Sequence, residues 1–120
     1  MKPTRPAFFL ALLLAAGASC AQDAAAQVDV YAATQLARNN GCFRCHAAQS
    51  ELKEGPAWTN IAARRRGKPD AQAELMTYLT SSGNKAMYLN GQVIYHKTVQ
   101  TTPRNDMAQV RNLVDWILSR

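Results

Sequence analysis

Apolar residues recur at intervals of three and four along much of the chain, and this spacing predicts amphipathic helices. Four such stretches begin near Asp29, after Pro56, near Asp70 and at Asn105 or Asp106. The last stretch has the most regular apolar stripe, which consists of Val110, Leu113, Val114, Trp116 and Ile117. Alternation of apolar and polar residues, which is typical of a half-buried strand, is confined to residues 92–95. The pattern therefore predicts an all-α fold of about four helices.

The chain is expected to bend sharply where the first predicted helix ends. Asn39, Asn40 and Gly41 stand at that point. Glycine readily adopts the left-handed conformation that ends many helices. The residues that follow, 42–46, are therefore expected to lie just after a bend.

The first residues have the pattern of an export signal. Lys2 and Arg5 give a short basic start, residues 7–18 are entirely apolar or small, and alanines follow. This is the pattern of a secretory signal peptide. An apolar run of about a dozen residues is too short to span a hydrocarbon layer of about 30 Å as a helix.

We therefore expect residues 1–26 to be a signal peptide, cleaved after Ala21 or Ala26, and residues 27–120 to form a single domain. The alternatives are an uncleaved membrane anchor and a lipid-attachment site at Cys20. After processing, the protein is not expected to be an integral membrane protein, and its location is expected to be the periplasm.

The chain is basic, with 14 Lys and Arg residues against 8 Asp and Glu residues. A basic surface often indicates binding to nucleic acid, but an exported protein rarely meets nucleic acid. We therefore expect no nucleic-acid partner, and favour a protein partner with an acidic docking face or a membrane surface.

The segment Cys42-Phe43-Arg44-Cys45-His46 contains the spacing Cys-x-x-Cys-His, which is the signature of c-type haem attachment. Two intervening residues allow both thiols to reach the two vinyl groups of one porphyrin, and the adjacent histidine can then bind the iron. A small exported domain also needs a disulfide, a metal or a cofactor to supplement its core. The motif thus predicts one covalent haem c, attached at Cys42 and Cys45 and ligated by His46.

The motif allows three other interpretations. A thioredoxin-like redox pair expects a βαβ context, which the helical pattern does not offer. A zinc site needs a fourth ligand, for which only His96 or a carboxylate is available. A chance occurrence is the third interpretation.

Together with this motif, residues 28–120 resemble a class I c-type cytochrome of the small bacterial monohaem type. The resemblance includes Gly55-Pro56-Ala57-Trp58, a middle helix over residues 71–79 and a closing helix over residues 113–118. It implies a small cytochrome c fold wrapped around one haem, with the first and last helices packed together. It also implies that the Pro56 carbonyl accepts a hydrogen bond from His46, and that Trp58 packs at the haem edge, although Trp58 can equally be a plain core residue.

The chain departs from this family at the sixth iron ligand. The family usually supplies a methionine from a proline-rich loop before the last helix, but the loop over residues 88–103 contains none, and Gln100 stands near the expected position. His96 lies in this loop, and imidazole is a strong ligand for iron. His96 is therefore the first choice for the sixth ligand, and Met87 is the second.

The resemblance implies an electron carrier rather than an enzyme, which cycles between Fe(III) and Fe(II). With His96 as the sixth ligand, the iron is expected to have bis-histidine ligation. The alternatives are a gas-binding or catalytic haem protein with a labile or vacant sixth site, and an electron-entry subunit of a larger oxidoreductase. Arg64-Arg65-Arg66-Gly67-Lys68 is the densest basic run. Its role stays open at this point between a solvated helix end, a docking face for an acidic redox partner and a contact with a haem propionate.

Overall fold

The computed structural model describes residues 27–49 and 53–120. The expected signal peptide, residues 1–26, lies outside the described residues. The elements in chain order are helix α1 (Val30–Asn39), a 3-10 turn (Cys42–Arg44), helices α2 (Trp58–Arg65) and α3 (Ala71–Thr80), strands β1 (Lys85–Met87) and β2 (Val93–Tyr95), and helix α4 (Met107–Leu118). The predicted all-α class is confirmed, with one short hairpin added.

Helix α1 begins and ends at the residues that the sequence indicates. The Asp29 carboxylate accepts a hydrogen bond of 2.9 Å from the backbone N–H of Ala32, which caps the first turn. At the other end, Gly41 has φ of +71°, the left-handed conformation. The bend therefore directs the chain straight into the 3-10 turn that carries the two cysteines.

Helices α1 and α4 pack against each other, as the resemblance implied. Ala33 and Ala37 of α1 are fully buried in the core that α1 shares with α4, and such small side chains allow the two helices to approach closely. The Asn112 side chain also exchanges two hydrogen bonds of 2.8 Å with the backbone of Asp29. Because α4 also contacts α2 and α3, it is the central element of the core.

The hairpin is the part of the fold that the hydrophobic pattern only hinted at. Strands β1 and β2 are antiparallel, and Met87 pairs with Val93. A backbone hydrogen bond of 2.7 Å from the N–H of His96 to the Asn84 carbonyl closes the base of the hairpin, and one of 2.8 Å from the N–H of Val99 to the Leu79 carbonyl joins the following segment to α3. These bonds fix where the chain emerges from β2.

Gln100 is held near the end of α1 by a reciprocal pair of hydrogen bonds. The Asn40 side chain donates to the Gln100 carbonyl at 3.0 Å and accepts from the Gln100 N–H at 2.7 Å. Across the described ranges, none of the helices is long and apolar enough to cross a membrane.

Candidate haem site

Two segments that are joined by backbone hydrogen bonds build the first half of the site. The N–H of Gly55 donates to the Cys45 carbonyl at 2.8 Å, and the N–H of Trp58 donates to the Ala47 carbonyl at 3.0 Å. Between these two bonds, Nδ1 of His46 lies 2.6 Å from the Pro56 carbonyl oxygen. A carbonyl oxygen can only accept, so Nδ1 carries the proton and Nε2 keeps its lone pair. The hydrogen bond thus leaves Nε2 of His46 available for a metal.

Gly55 matters for a steric reason that the sequence alone does not show. A Cβ atom at this position would lie 3.0 Å from Cε1 of His46 and 3.1 Å from the Cys45 carbonyl oxygen. These distances are below ordinary van der Waals contact. A side chain at this position would therefore require the His46 ring or the Cys45 backbone to shift by a few tenths of an ångström.

The 3-10 turn places the two thiols and the ring of His46 within one turn of backbone. The N–H groups of Cys45 and His46 both donate to the Cys42 carbonyl, at 3.2 and 3.0 Å. Neither cysteine is in a disulfide. Burial raises the pKa of Cys42, and it raises the pKa of Cys45 together with Glu54, whose carboxylate lies 3.5 Å from the Cys45 sulfur. Raised thiol pKa values disfavour the thiolate that a thioredoxin-like redox pair requires.

His96 faces His46 from the opposite side. The centroids of the two rings are 6.1 Å apart, and the ring planes are inclined by 45°. Nδ1 of His96 lies 2.8 Å from the Lys97 carbonyl oxygen, so it too carries the proton and leaves Nε2 free. Two imidazoles that bind one metal ion at about 2.0–2.1 Å from opposite sides have ring centroids roughly 6–6.5 Å apart. The observed separation fits this arrangement.

The hairpin and α3 together position His96. Its N–H bond to Asn84 fixes the backbone directly after β2, and the Tyr78 ring lies 5.0 Å from the His96 ring. Met87, the second choice for the sixth ligand, lies in β1 with 68% of its surface exposed. The structure therefore brings His46 and His96 together, while the Met87 side chain is mostly exposed and lines a cavity with Gly55, Pro56 and Ala57.

Aromatic side chains surround the His46 side of the site. The Trp58 ring lies 4.6 Å from the His46 ring and 5.5 Å from that of Trp116, and Phe43 contacts both tryptophans edge to face. Burial lowers the pKa of His46, although the hydrogen bond to Pro56 partly opposes this effect and nearby His96 adds to it. A lowered pKa keeps the imidazole neutral, which is the form that binds a metal.

Three buried N–H groups have no hydrogen-bond partner among the described residues. They are Nε1 of Trp58, Nε of Arg65 and Nε1 of Trp116. A buried donor without an acceptor costs about 1–3 kcal/mol, so donors in this position suit a bound group that carries acceptors. Haem has two carboxylates and a flat apolar ring. The paired imidazoles, the aromatic walls and the unpartnered donors therefore fit haem.

The zinc interpretation finds less support. Within residues 27–49 and 53–120, no group of three or more His, Cys, Asp and Glu side chains is arranged to hold a metal ion. The site offers two facing imidazoles instead of a tetrahedral set of ligands.

Comparison with known proteins agrees with this site. The sequence profile of the cytochrome c family matches residues 30–120. The chain therefore belongs to the cytochrome c family. The protein carries one covalent haem c and takes part in haem-based electron transfer, as the sequence predicted.

Individual relatives show which kind of cytochrome c this chain resembles. Cytochrome c-551 of Pseudomonas aeruginosa is 39% identical over 122 aligned positions, which cover 100% of this chain and 99% of that protein. Cytochrome c-552 of Hydrogenobacter thermophilus is 32% identical over 90 residues, or 74% of this chain and 82% of that protein. These relatives confirm the predicted resemblance to small bacterial cytochromes.

Two solved structures share the fold. The class 1 cytochrome MtoD of Sideroxydans lithotrophicus ES-1 is 43% identical, with a TM-score of 0.69 over 78% of this chain and 97% of that chain. Cytochrome c552 of Nitrosomonas europaea is 29% identical, with a TM-score of 0.53 over 72% of this chain and 96% of that chain. The class I assignment and the small cytochrome c fold are thereby confirmed.

Proposed function

We propose that this protein is a periplasmic one-electron carrier whose haem is attached at Cys42 and Cys45 and whose iron is ligated by His46 and His96. The observation that carries the proposal is the 6.1 Å separation of the two imidazoles, each of which has its Nδ1 bonded to a backbone carbonyl. This pairing leaves two Nε2 atoms available for one iron.

Each histidine has its own orienting group in this proposal. The Pro56 carbonyl holds the His46 ring, and the Lys97 carbonyl holds the His96 ring. Such hydrogen bonds fix the tautomer and raise the basicity of a metal ligand. Trp58 packs against His46 and restricts its rotation.

Electron transfer suits a closed coordination sphere. The bound haem supplies the Fe(III)/Fe(II) couple, and two protein ligands leave no position for a substrate. The chain's contribution is to hold both imidazoles on fixed backbone, so that little rearrangement accompanies each electron. Two imidazoles give a lower potential than the histidine–methionine pair of other small cytochromes.

Location and partner follow from the sequence. Residues 1–26 are proposed to be the cleaved export signal of a domain over residues 27–120, which places the protein in the periplasm. The basic balance and the exposed Arg64, Arg66 and Lys68 favour a redox partner with an acidic docking face. That partner can be a separate protein or a larger oxidoreductase of which this chain is the electron-entry subunit.

One observation favours a second function, the binding of a gas at the sixth position. His96 follows a two-stranded hairpin that has little packing, because Met87, Leu89, Val93 and Tyr95 are each at least 60% exposed. An element with little packing opens more easily than the core. Release of His96 would leave the iron open to carbon monoxide or nitric oxide.

Absorption and electron paramagnetic resonance spectra of the purified holoprotein separate these two functions. The electron-carrier proposal expects low-spin ferric iron, no weak red-edge band of sulfur–iron ligation, and slow or absent carbon monoxide binding after reduction. Rapid carbon monoxide binding with high-spin iron would contradict the electron-carrier proposal and favour gas binding. A red-edge sulfur band would instead assign the sixth position to a methionine, with Met87 as the first to be replaced.

A further inference from the structure

The Asn40 side chain links the end of α1 to the segment that follows His96. Its Nδ2 donates to the Gln100 carbonyl at 3.0 Å, and its Oδ1 accepts from the Gln100 N–H at 2.7 Å. The same Nδ2 donates to the Leu36 carbonyl of α1 at 2.9 Å. Each amide atom thus meets backbone partners of the opposite type, which fixes the orientation of the amide. The Asn40–Gln100 link is therefore a directed contact that starts from a helix.

The two ends of this link lie close to the two ends of the proposed chemistry. Asn40 stands two residues before Cys42, where the chain enters the 3-10 turn. Gln100 stands four residues after His96. The link therefore joins the segment that attaches the haem to the segment that carries the proposed sixth ligand.

Gln100 also holds the chain that leads back to His96. Its side-chain Nε2 donates to the Thr98 hydroxyl at 3.0 Å. The N–H of the preceding residue, Val99, donates to the Leu79 carbonyl of α3 at 2.8 Å. Residues 98–100 are thus bonded to α1, to α3 and to each other, so a short segment with few conformations leads from the link to His96.

The orientation of the His96 ring depends on this segment. Nδ1 of His96 donates to the Lys97 carbonyl at 2.8 Å. A carbonyl can orient an imidazole only while its own peptide group is held, and residues 98–100 hold it from the C-terminal side. The hairpin on the other side of His96 has little packing of its own. The hydrogen bonds that follow His96 therefore carry much of the task of keeping its ring in place.

We propose that Asn40 is a positioning residue for the sixth iron ligand: its two hydrogen bonds to Gln100 slow the release of His96 from the iron. Asn40 does not touch the metal and acts only through the backbone of residues 97–100. The inference rests on the proposed ligation of the iron by His96.

Asn112 supplies a matched control, because it makes the same pair of bonds elsewhere. Its Nδ2 donates to the Asp29 carbonyl and its Oδ1 accepts from the Asp29 N–H, both at 2.8 Å. Like Asn40, it is half-buried. This pair joins the start of α1 to α4 and makes no bond to the segment after His96. Asn40→Ala and Asn112→Ala therefore remove similar bonds from opposite ends of α1.

Carbon monoxide binding measures the release of His96. When reduced holoprotein is mixed with saturating carbon monoxide, the gas can bind only after His96 has left, so stopped-flow absorption gives the rate of release. Two neutral hydrogen bonds between half-exposed groups have a small net strength, so Asn40→Ala should accelerate binding about threefold to tenfold while the iron stays low-spin before mixing. Asn112→Ala should bind at the wild-type rate, although its midpoint of chemical unfolding should fall by a similar amount.

Hydrogen exchange followed by nuclear magnetic resonance tests the link itself in the reduced, diamagnetic holoprotein. The Gln100 N–H should exchange slowly in the wild type and in Asn112→Ala, and rapidly in Asn40→Ala. A wild-type Gln100 N–H that exchanges as fast as a free amide, or equal carbon monoxide rates in the two alanine variants, would overturn the inference. High-spin wild-type iron would overturn the proposed function, whereas low-spin wild-type iron with equal rates in the two variants overturns the Asn40 inference alone.

Discussion

The two sides of the site are built in different ways. On the side of His46, a 3-10 turn and the Gly55–Trp58 segment are joined by backbone hydrogen bonds and packed against buried Trp116 of α4. On the side of His96, the proposed ligand follows a hairpin of two three-residue strands whose Met87, Val93 and Tyr95 side chains are mostly exposed. Covalent attachment is thus placed on the part of the fold with the most packing, and the proposed sixth ligand on the part with the least.

This difference predicts how the protein responds to substitutions on each side of the site. The His46 side belongs to the core, so damage there should remove the cofactor or unfold the domain. The hairpin contributes few buried side chains, so damage there should leave a loaded and folded protein with altered iron chemistry.

The largest effect is expected at the cysteines. Cys42→Ser or Cys45→Ser should greatly reduce the yield of holoprotein, because one thioether alone holds the haem poorly, and the double variant should carry no covalent haem. Mass analysis of denatured protein from a host that matures c-type haem measures this directly. Arg44→Ala, an exposed change between the two cysteines, is the matched control and should retain full haem content. A bare polypeptide mass for the wild type would contradict the covalent assignment.

The next effect is expected at His96. His96→Ala should keep its covalent haem but become high-spin and bind carbon monoxide rapidly when reduced, because the sixth position is open. Stopped-flow mixing and absorption spectra measure both changes. Met87→Ala should change neither property, since the proposal assigns the sixth position to His96, whose ring lies 6.1 Å from that of His46. An unchanged spectrum in His96→Ala, with a change in Met87→Ala, would reverse the assignment of the ligand.

A smaller effect is expected at Gly55. Gly55→Ala should lower the free energy of unfolding by roughly 1–3 kcal/mol, because the added methyl group overpacks the His46 ring. It should also perturb the haem spectrum. Gly91→Ala is the matched control: its φ of +85° strains the backbone, but the new methyl group meets no atom within 4 Å. Chemical unfolding should show a loss in both variants, and only Gly55→Ala should alter the spectrum.

The smallest effect is expected at the surface. Oxidation of the reduced protein by the anion ferricyanide should slow as salt rises, because exposed charges are screened over about 8–10 Å at ordinary ionic strength. Changing Arg64 and Arg66 to Glu should slow it by roughly twofold to fivefold at low salt. Changing Arg104 and Arg111 to Glu alters the net charge equally and should have less effect. Equal rates in the two double variants would show that total charge, and not this surface, steers the approach.

Much of the fold could be predicted because its causes are local. Asp29, which caps helix α1, and Gly41, where the chain turns away, lie directly next to the ends of that helix. The apolar stripe on α4 repeats at helical spacing. The Cys-x-x-Cys-His spacing likewise lies within a single turn of backbone, so the covalent haem followed directly from the order of residues. The family resemblance then supplied the crossing of the first and last helices.

The hairpin was not predicted because its cause is not local. Strands of three residues give little periodic signal, and pairing of Met87 with Val93 depends on the base being joined to α3 through Asn84 and Leu79. The steric role of Gly55 also needs the neighbouring loop, since its closest contacts belong to residues nine and ten positions earlier in the chain.

By itself, the sequence determined the helices, the haem-attachment motif and the absence of a methionine from the loop over residues 88–103. Only the tertiary structure decided that His96 faces His46 across 6.1 Å, and that Arg65 turns inward while Arg64 and Arg66 face solvent. The physical reason is that residues within one turn are positioned by backbone geometry. Residues fifty positions apart meet only after the helices have packed and their loops have been fixed by hydrogen bonds.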